Sequence, residues 1–279
     1  MHIGFIGTGN MGTILIESFI KSGVLSPSSI FATNRTMEKL NRLKAKYPGL
    51  KTGTCRDVAR EANVLFLCVK PKDYRGVIDY IRQDLTHEKL IISITSPVGP
   101  ELLDRILPAN KTARIIPSIT NSVLQGVTLL SFGSRLSSDD KKYLMSLMSS
   151  ISTPIEIDES VTRISSDMVS CGPAFFSFLM QRYIDSAVEE TSICEDEATR
   201  MMTSMIIGLG RLLEEGGFTL SELQAKVCVP GGVTGIGLNV IDKETDTVFL
   251  NTIRATQEKF QQDLLEVEES FQDQKNPYH

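Results

Sequence analysis

The chain has 279 residues, 41% of them hydrophobic, and a formal net charge of -5. This is enough apolar material for one large or two ordinary domains with a full core, and it argues against a disordered chain. The acidic balance, with no basic block and no tryptophan, argues against nucleic acid or an anionic membrane surface as the main partner and leaves small molecules.

The first apolar run, Ile3, Phe5 and Ile6, predicts a strand. It leads through Gly7-Thr8-Gly9-Asn10-Met11-Gly12 into Met11, Ile14, Leu15 and Phe19, a helical spacing that ends at Ser22-Gly23. A G-x-G-x-x-G between a strand and a helix is a dinucleotide-binding fingerprint. Gly7 makes the turn, Gly9 lets a pyrophosphate approach, and Gly12 lets the helix pack on the strand. The amides of Gly9, Asn10 and Met11 then face the phosphates from the positive end of the helix.

Ile30 to Thr33 is the predicted second strand, ending at Asn34-Arg35-Thr36. A fold of this kind that prefers NAD places Asp or Glu here to accept from the ribose hydroxyls, whereas a 2′-phosphate is repelled by a carboxylate and held by Arg. Arg35 stands where the acid would be, with Asn34 and Thr36 as further donors, so the expected cofactor is NADPH, with NADH as the second choice. Glu38 to Tyr47 predicts a helix with Leu40 and Leu43 inward, and Asp57 to Glu61 a short one. Val64 to Val69 is a continuous apolar run of the kind a strand buried on both faces requires. Val69-Lys70-Pro71, beyond its carboxyl end, is expected to flank the cofactor near the nicotinamide.

Strands are predicted at Leu90 to Ile94, Ala113 to Ile116, Val127 to Ser131 and Pro154 to Ile157, with a helix over Asp139 to Ser150. Ser96-Pro97-Val98-Gly99-Pro100 and Pro117-Ser118-Ile119-Thr120-Asn121 read as loops. The first domain, 1–158, is thus an α/β Rossmann-type doubly wound sheet. Beyond it the strand signal vanishes, and 159–279 reads as an all-helical dimerisation domain. Its helices are Phe175 to Glu190, Glu195 to Leu213, a short one opened by the capping box Thr219-Leu220-Ser221-Glu222, and Thr247 to Glu269. Their apolar stripes exceed what a small lone domain needs, and burial against a second copy in a homodimer is the simplest use.

No apolar run approaches the roughly 20 residues of a spanning helix, and Met1-His2 enters the first strand directly, so a cytoplasmic protein is expected. Cys55, Cys68, Cys171, Cys194 and Cys228 are odd in number and form no C-x-x-C, which reads as reduced, mostly buried thiols. His2, His87 and His279 are dispersed, so neither a metal cluster nor a His-based triad is expected.

Four blocks together carry a family resemblance: Gly4-Phe5-Ile6-Gly7-Thr8-Gly9-Asn10-Met11, Val69-Lys70-Pro71, Gly172-Pro173-Ala174-Phe175 and Pro230-Gly231-Gly232-Val233-Thr234. In this order they resemble pyrroline-5-carboxylate reductase over nearly the full length, and most nearly its branch encoded in late-competence operons of Gram-positive bacteria. The resemblance implies NADPH or NADH as hydride donor and reduction of a cyclic imine to proline. It implies that Gly231, Gly232 and Val233 form a helix start holding the substrate carboxylate, and that Thr234 lies beside the imine nitrogen as the catalytic hydroxyl.

The departures fall on the substrate side. The family's Ser-Pro-Gly-Gly-Thr-Thr is here Val229 to Thr234, with two hydroxyls replaced by isopropyl groups, and its Ser-Gly-Ser is Val169-Ser170-Cys171. A dinucleotide-binding relative with weak or no catalysis and a regulatory or competence-linked role is therefore the alternative. A β-hydroxyacid dehydrogenase would need a lysine on the interdomain helix, and Phe175 to Cys194 contains none.

Overall fold

A computed structural model describes residues 2–272. Strands and helices alternate from β1 (Ile3–Ile6) through α1 (Asn10–Lys21), β2 (Ile30–Thr33), α2 (Met37–Lys46), β3 (Lys51–Thr52), α3 (Cys55–Glu61), β4 (Val64–Leu67), α4 (Tyr74–Ile81), β5 (Leu90–Ser93), α5 (Pro100–Ile106) and β6 (Lys111–Ile116). The sheet is completed by β7 (Val127–Phe132), α6 (Ser138–Ser149) and β8 (Thr153–Glu156). Helices follow: α7 (Thr162–Ser166), a π-helical turn over Asp167–Cys171, α8 (Gly172–Glu190), α9 (Glu195–Glu215), α10 (Leu220–Val227), α11 (Val233–Thr245) and α12 (Val248–Gln272).

The eight strands run in the order β3-β2-β1-β4-β5-β6-β7-β8, parallel except between β6 and β7. The chain moves outward from β1 to β3, then returns across β1 to lay down β4, which puts the topological switch point between β1 and β4. Those strands are in register, Phe5 opposite Phe66. The two rings stack with centroids 4.9 Å apart, and Phe19 of α1 closes on both. This face holds one apolar cluster with Leu40 and Leu43. Ile6, Leu65, Leu67 and Ile91 point the other way, into a second cluster under α3, α4 and α5. A parallel sheet covered on both faces needs such unbroken apolar strands.

Helices α4 and α5 stand where the sequence pattern assigns no helix, α5 starting at Pro100, the last residue of a segment read as a loop. In α5, Pro100 occupies the first helical position behind Gly99, where its fixed φ is an asset rather than a break. Helix α4 is 8 residues long, so its inward set is only Tyr74, Ile78 and Ile81. Strand β3, of 2 residues, is too short to give an alternation.

The described residues form two compact units, 2–171 with 256–272, and 172–255. The partition differs from a break at Asp158 because the end of α12 joins the first unit. Val267, 2% exposed, sits in the second apolar cluster with Phe271 against it. Arg105 pairs with Glu268 at 2.6 Å, and Arg75 donates to the Ser270 carbonyl at 2.7 Å. The π-helical turn falls where Pro173 follows: proline supplies no N–H and crowds the carbonyl four residues back, and a wider turn relieves both.

The cysteines are less enclosed than the sequence suggests. All five are free, four of them half-buried and Cys194 exposed. No helix of the described residues is long and apolar enough to cross a membrane.

Candidate functional site

The glycine turn lies at the switch point. Gly7 has φ 105°, and a Cβ there would stand 2.4 Å from the Cys68 carbonyl oxygen, so the ends of β1 and β4 touch through it. A Cβ on Gly12 would meet the Gly7 carbonyl oxygen at 2.2 Å, which fixes how closely α1 sits over β1. Gly9 differs: its Cβ would meet nothing within 4 Å. Gly9 caps α1 with no side-chain cap, and the first turn carries no acidic residue. The leading amides of the helix, including those of Asn10 and Met11, therefore present their positive ends to open space, as an anion requires.

The crevice beside this turn has a volume of about 500 Å³ and includes Gly7, Gly9, Asn34, Arg35, Val69 and Lys70. The structure thus brings the residues read from three separate strand ends to one place. Pro71 opens the 3-10 turn that follows Lys70. Beneath it the Tyr74 hydroxyl donates to the Leu67 carbonyl at 2.7 Å and accepts from the Ile94 amide at 3.3 Å, joining the ends of β4 and β5. Burial pushes this phenol up to about 12, so it stays protonated and structural.

Asn34 has a use the sequence conceals. Its Oδ1 accepts from the Thr8 amide at 3.1 Å and its Nδ2 donates to the Thr36 carbonyl at 3.0 Å, so the side chain braces two turns and keeps one N–H free. Arg35 is exposed and has no hydrogen-bond or ionic partner among the described residues. Lys39 and Lys72 line the same crevice and escaped the sequence reading, Lys39 because it lies inside a charged amphipathic helix.

In the second unit, Gly231 takes φ 75° and Gly232 caps α11 with no side-chain cap and no acid in the first turn. Val229, Pro230, Gly231, Gly232 and Asn239 line a hollow of about 400 Å³ at this helix start. Val229 and Val233 are 60% and 84% exposed, so neither is packed under the helix start. Thr234 is half-buried, and its hydroxyl makes no hydrogen bond among the described residues. Among the described residues no cluster of His, Cys, Asp and Glu could hold a metal.

Two protein-family descriptions and several known proteins match this chain. Residues 159–263 match the family described as pyrroline-5-carboxylate reductase dimerisation, and residues 2–97 match NADP oxidoreductase coenzyme F420-dependent. ComE operon protein 4 of Bacillus subtilis (strain 168) is 44% identical over 272 residues, covering 97% of this chain and 99% of that protein. Pyrroline-5-carboxylate reductase 3 of Danio rerio is 31% identical over 244 residues, covering 87% of this chain and 84% of that protein. The chain belongs to the pyrroline-5-carboxylate reductase family. A solved member of that family, from Coxiella burnetii, superposes with a TM-score of 0.84 at 26% identity, covering 94% of this chain and 98% of its own. Family membership accounts for both halves of the molecule, the Rossmann-like sheet and the helices after it.

Proposed function

We propose that this family member is an NADPH-dependent reductase of a cyclic imine acid of the pyrroline-5-carboxylate kind, working as a homodimer in the cytoplasm. The observation that carries the reading is the uncapped start of α1, where Gly9 opens onto free space beside Arg35 and no carboxylate stands at the end of β2. The turn from Gly7 to Gly12 holds the pyrophosphate through its amides, Arg35 the 2′-phosphate, and Val69, Lys70 and Pro71 form the wall beyond β4. NADPH, when bound, supplies the hydride.

The chain itself supplies position and a proton environment. The amides at the start of α11, with the Gly231-Gly232 turn and Val233, orient the substrate carboxylate. The Thr234 hydroxyl is free to hydrogen-bond at the imine nitrogen and hold the protonated ring for attack at C5. This chemistry needs neither histidine nor metal. Five free cysteines suit a reducing compartment, and the exposed apolar faces of α8, α9 and α11 suit a second copy.

The exposed Val229 and Val233 favour one other reading, a dinucleotide-binding protein whose catalysis has faded. The test is NADPH oxidation with pyrroline-5-carboxylate, alongside NADPH binding on the same sample. A working reductase turns over, and Thr234→Val lowers kcat/KM by about tenfold or more with NADPH affinity unchanged. Restoring the family hydroxyls with Val229→Ser and Val233→Thr raises the rate. A wild type that binds NADPH but stays inactive, before and after restoration, favours the non-catalytic reading.

A further inference from the structure

Val229-Pro230-Gly231-Gly232 forms a type II turn: the Gly232 amide donates to the Val229 carbonyl at 2.9 Å, Pro230 takes the second position and Gly231, at φ 75°, the third. The turn sets the Val229 isopropyl over the start of α11, with one methyl carbon 2.8 Å from where a Cβ on Gly232 would stand. The hollow of about 400 Å³ then follows one face of the helix through Gly232, Gly235, Ile236 and Asn239, spaced i, i+3, i+4 and i+7. Val233 and Thr234 fall beside this face and do not line it. Val229, Pro230 and Ile236 wall the near part, and the Cys228 sulfur backs it, 3.2 Å from where a Cβ on Gly235 would stand. No charged side chain lines the hollow, and its polar side chain, Asn239, stands about two turns along the helix. The free amides of the first turn attract a carboxylate, whereas the surface next to them offers nothing to an ammonium group. Where the family pattern has serine, position 229 thus presents an isopropyl group that is 60% exposed, apolar surface that a ligand can take out of water.

We propose that this hollow receives a hydrocarbon substituent of the substrate, with Val229 as a specificity-determining residue, so that the preferred substrate is a ring-alkylated cyclic imine acid and not bare pyrroline-5-carboxylate. The inference rests on the reductase reading above and deepens it. The helix amides hold the carboxylate, and Thr234, beside the hollow's face, is left for the imine nitrogen. A group on the ring carbon next to the carboxylate-bearing carbon then lies against Val229 and Ile236. A volume of this size falls in the range of sites that hold drug-sized molecules, more than a bare pyrroline ring fills. The reacting C=N bond is unaltered, so the chemistry is the same and only the recognition differs.

The test measures NADPH oxidation with pyrroline-5-carboxylate and with its analogue bearing two methyl groups on that neighbouring ring carbon, in wild type, Val229→Thr and Val229→Ser. Val229→Thr keeps the shape of the side chain and exchanges one methyl for a hydroxyl at an exposed position, so the fold is expected to hold. Wild type is expected to favour the dimethyl compound by about tenfold or more in kcat/KM. The difference should lie in KM, because the methyl groups are remote from the reacting carbon. Val229→Thr is expected to lower that preference by about fourfold, the worth of burying one methyl group, and Val229→Ser by at least as much, with sedimentation unchanged. A wild type that reduces the parent compound as well as the dimethyl one, or better, overturns this proposal and leaves the reductase reading standing. A preference that neither variant alters overturns it too, and so does a loss of association in either variant, which would show that a second copy covers Val229. A wild type that binds NADPH and reduces neither compound removes the reductase reading and the substrate class with it.

Discussion

Gly9 and Gly12 stand three residues apart in one turn, yet a methyl group would do different things at each. At Gly12 it meets the Gly7 carbonyl oxygen at 2.2 Å and the Cys68 Cβ at 3.1 Å, so α1 must lift from β1. Gly12→Ala should therefore destabilise the protein by about 1–3 kcal/mol, as overpacking does. At Gly9 it meets nothing within 4 Å. Gly9→Ala should leave the thermal midpoint in place and weaken NADPH by about tenfold or more, because the methyl stands where the pyrophosphate approaches. Melting curves and NADPH titrations on both variants separate the cases; a Gly9→Ala protein that binds like wild type would show that the turn faces no ligand. The spacing of these glycines was legible in the sequence because the turn is local. The role of Asn34 was not, since its partner, the Thr8 amide, lies 26 residues away and comes near only when β1 and β2 pair.

Periodicity identifies an element where the element is long enough to repeat and its burial is internal. The unbroken Val64–Leu67 run and the spacing of Leu40 and Leu43 met both conditions, whereas α4, α5 and β3 were too short. The turn between α7 and α8 shows a different limit, because a local ion pair there is held by two residues far along the chain, Thr256 and Phe260. Arg163 and Asp167 pair at 2.8 Å with side chains 14% and 6% exposed, and Thr256 donates to Asp167 Oδ2 at 2.6 Å. The Arg163 guanidinium also lies 5.9 Å from the Phe260 ring centre and donates to the Cys171 sulfur at 3.3 Å. Breaking such a pair strands the other charge, so Asp167→Ala should cost about 3–5 kcal/mol. Replacing both partners, Arg163→Met with Asp167→Leu, should recover most of it, since the pair itself is worth little against apolar packing. Urea unfolding of the three proteins decides: a double variant as unstable as Asp167→Ala would mean that the loss lies in the bond to Thr256 and not in the stranded arginine.

Strands β1, β4 and β5 bury all their apolar side chains, and the helices of the second unit do not. Phe178, Met201, Ile207 and Ile236 are 64%, 65%, 55% and 68% exposed, on α8, α9 and α11. A groove of about 570 Å³ between α8 and α9 is lined almost wholly by apolar side chains, Met201, Met202 and Met205 among them. The apolar stripes were legible in the sequence; what they face could not be read there, because periodicity reports that a face is apolar and not whose surface covers it. Contiguous exposure on this scale exceeds what monomers usually carry, and a twofold copy of the same face is the most economical cover. Sedimentation at micromolar concentration is accordingly expected to give a dimer. Met201→Glu places a charge on a side chain with little internal packing to lose, and should weaken association by about tenfold or more while leaving the Rossmann-like unit able to bind NADPH. A wild type that stays monomeric and folded as concentration rises, or a Met201→Glu protein that dimerises unchanged, would place the contact elsewhere or remove it.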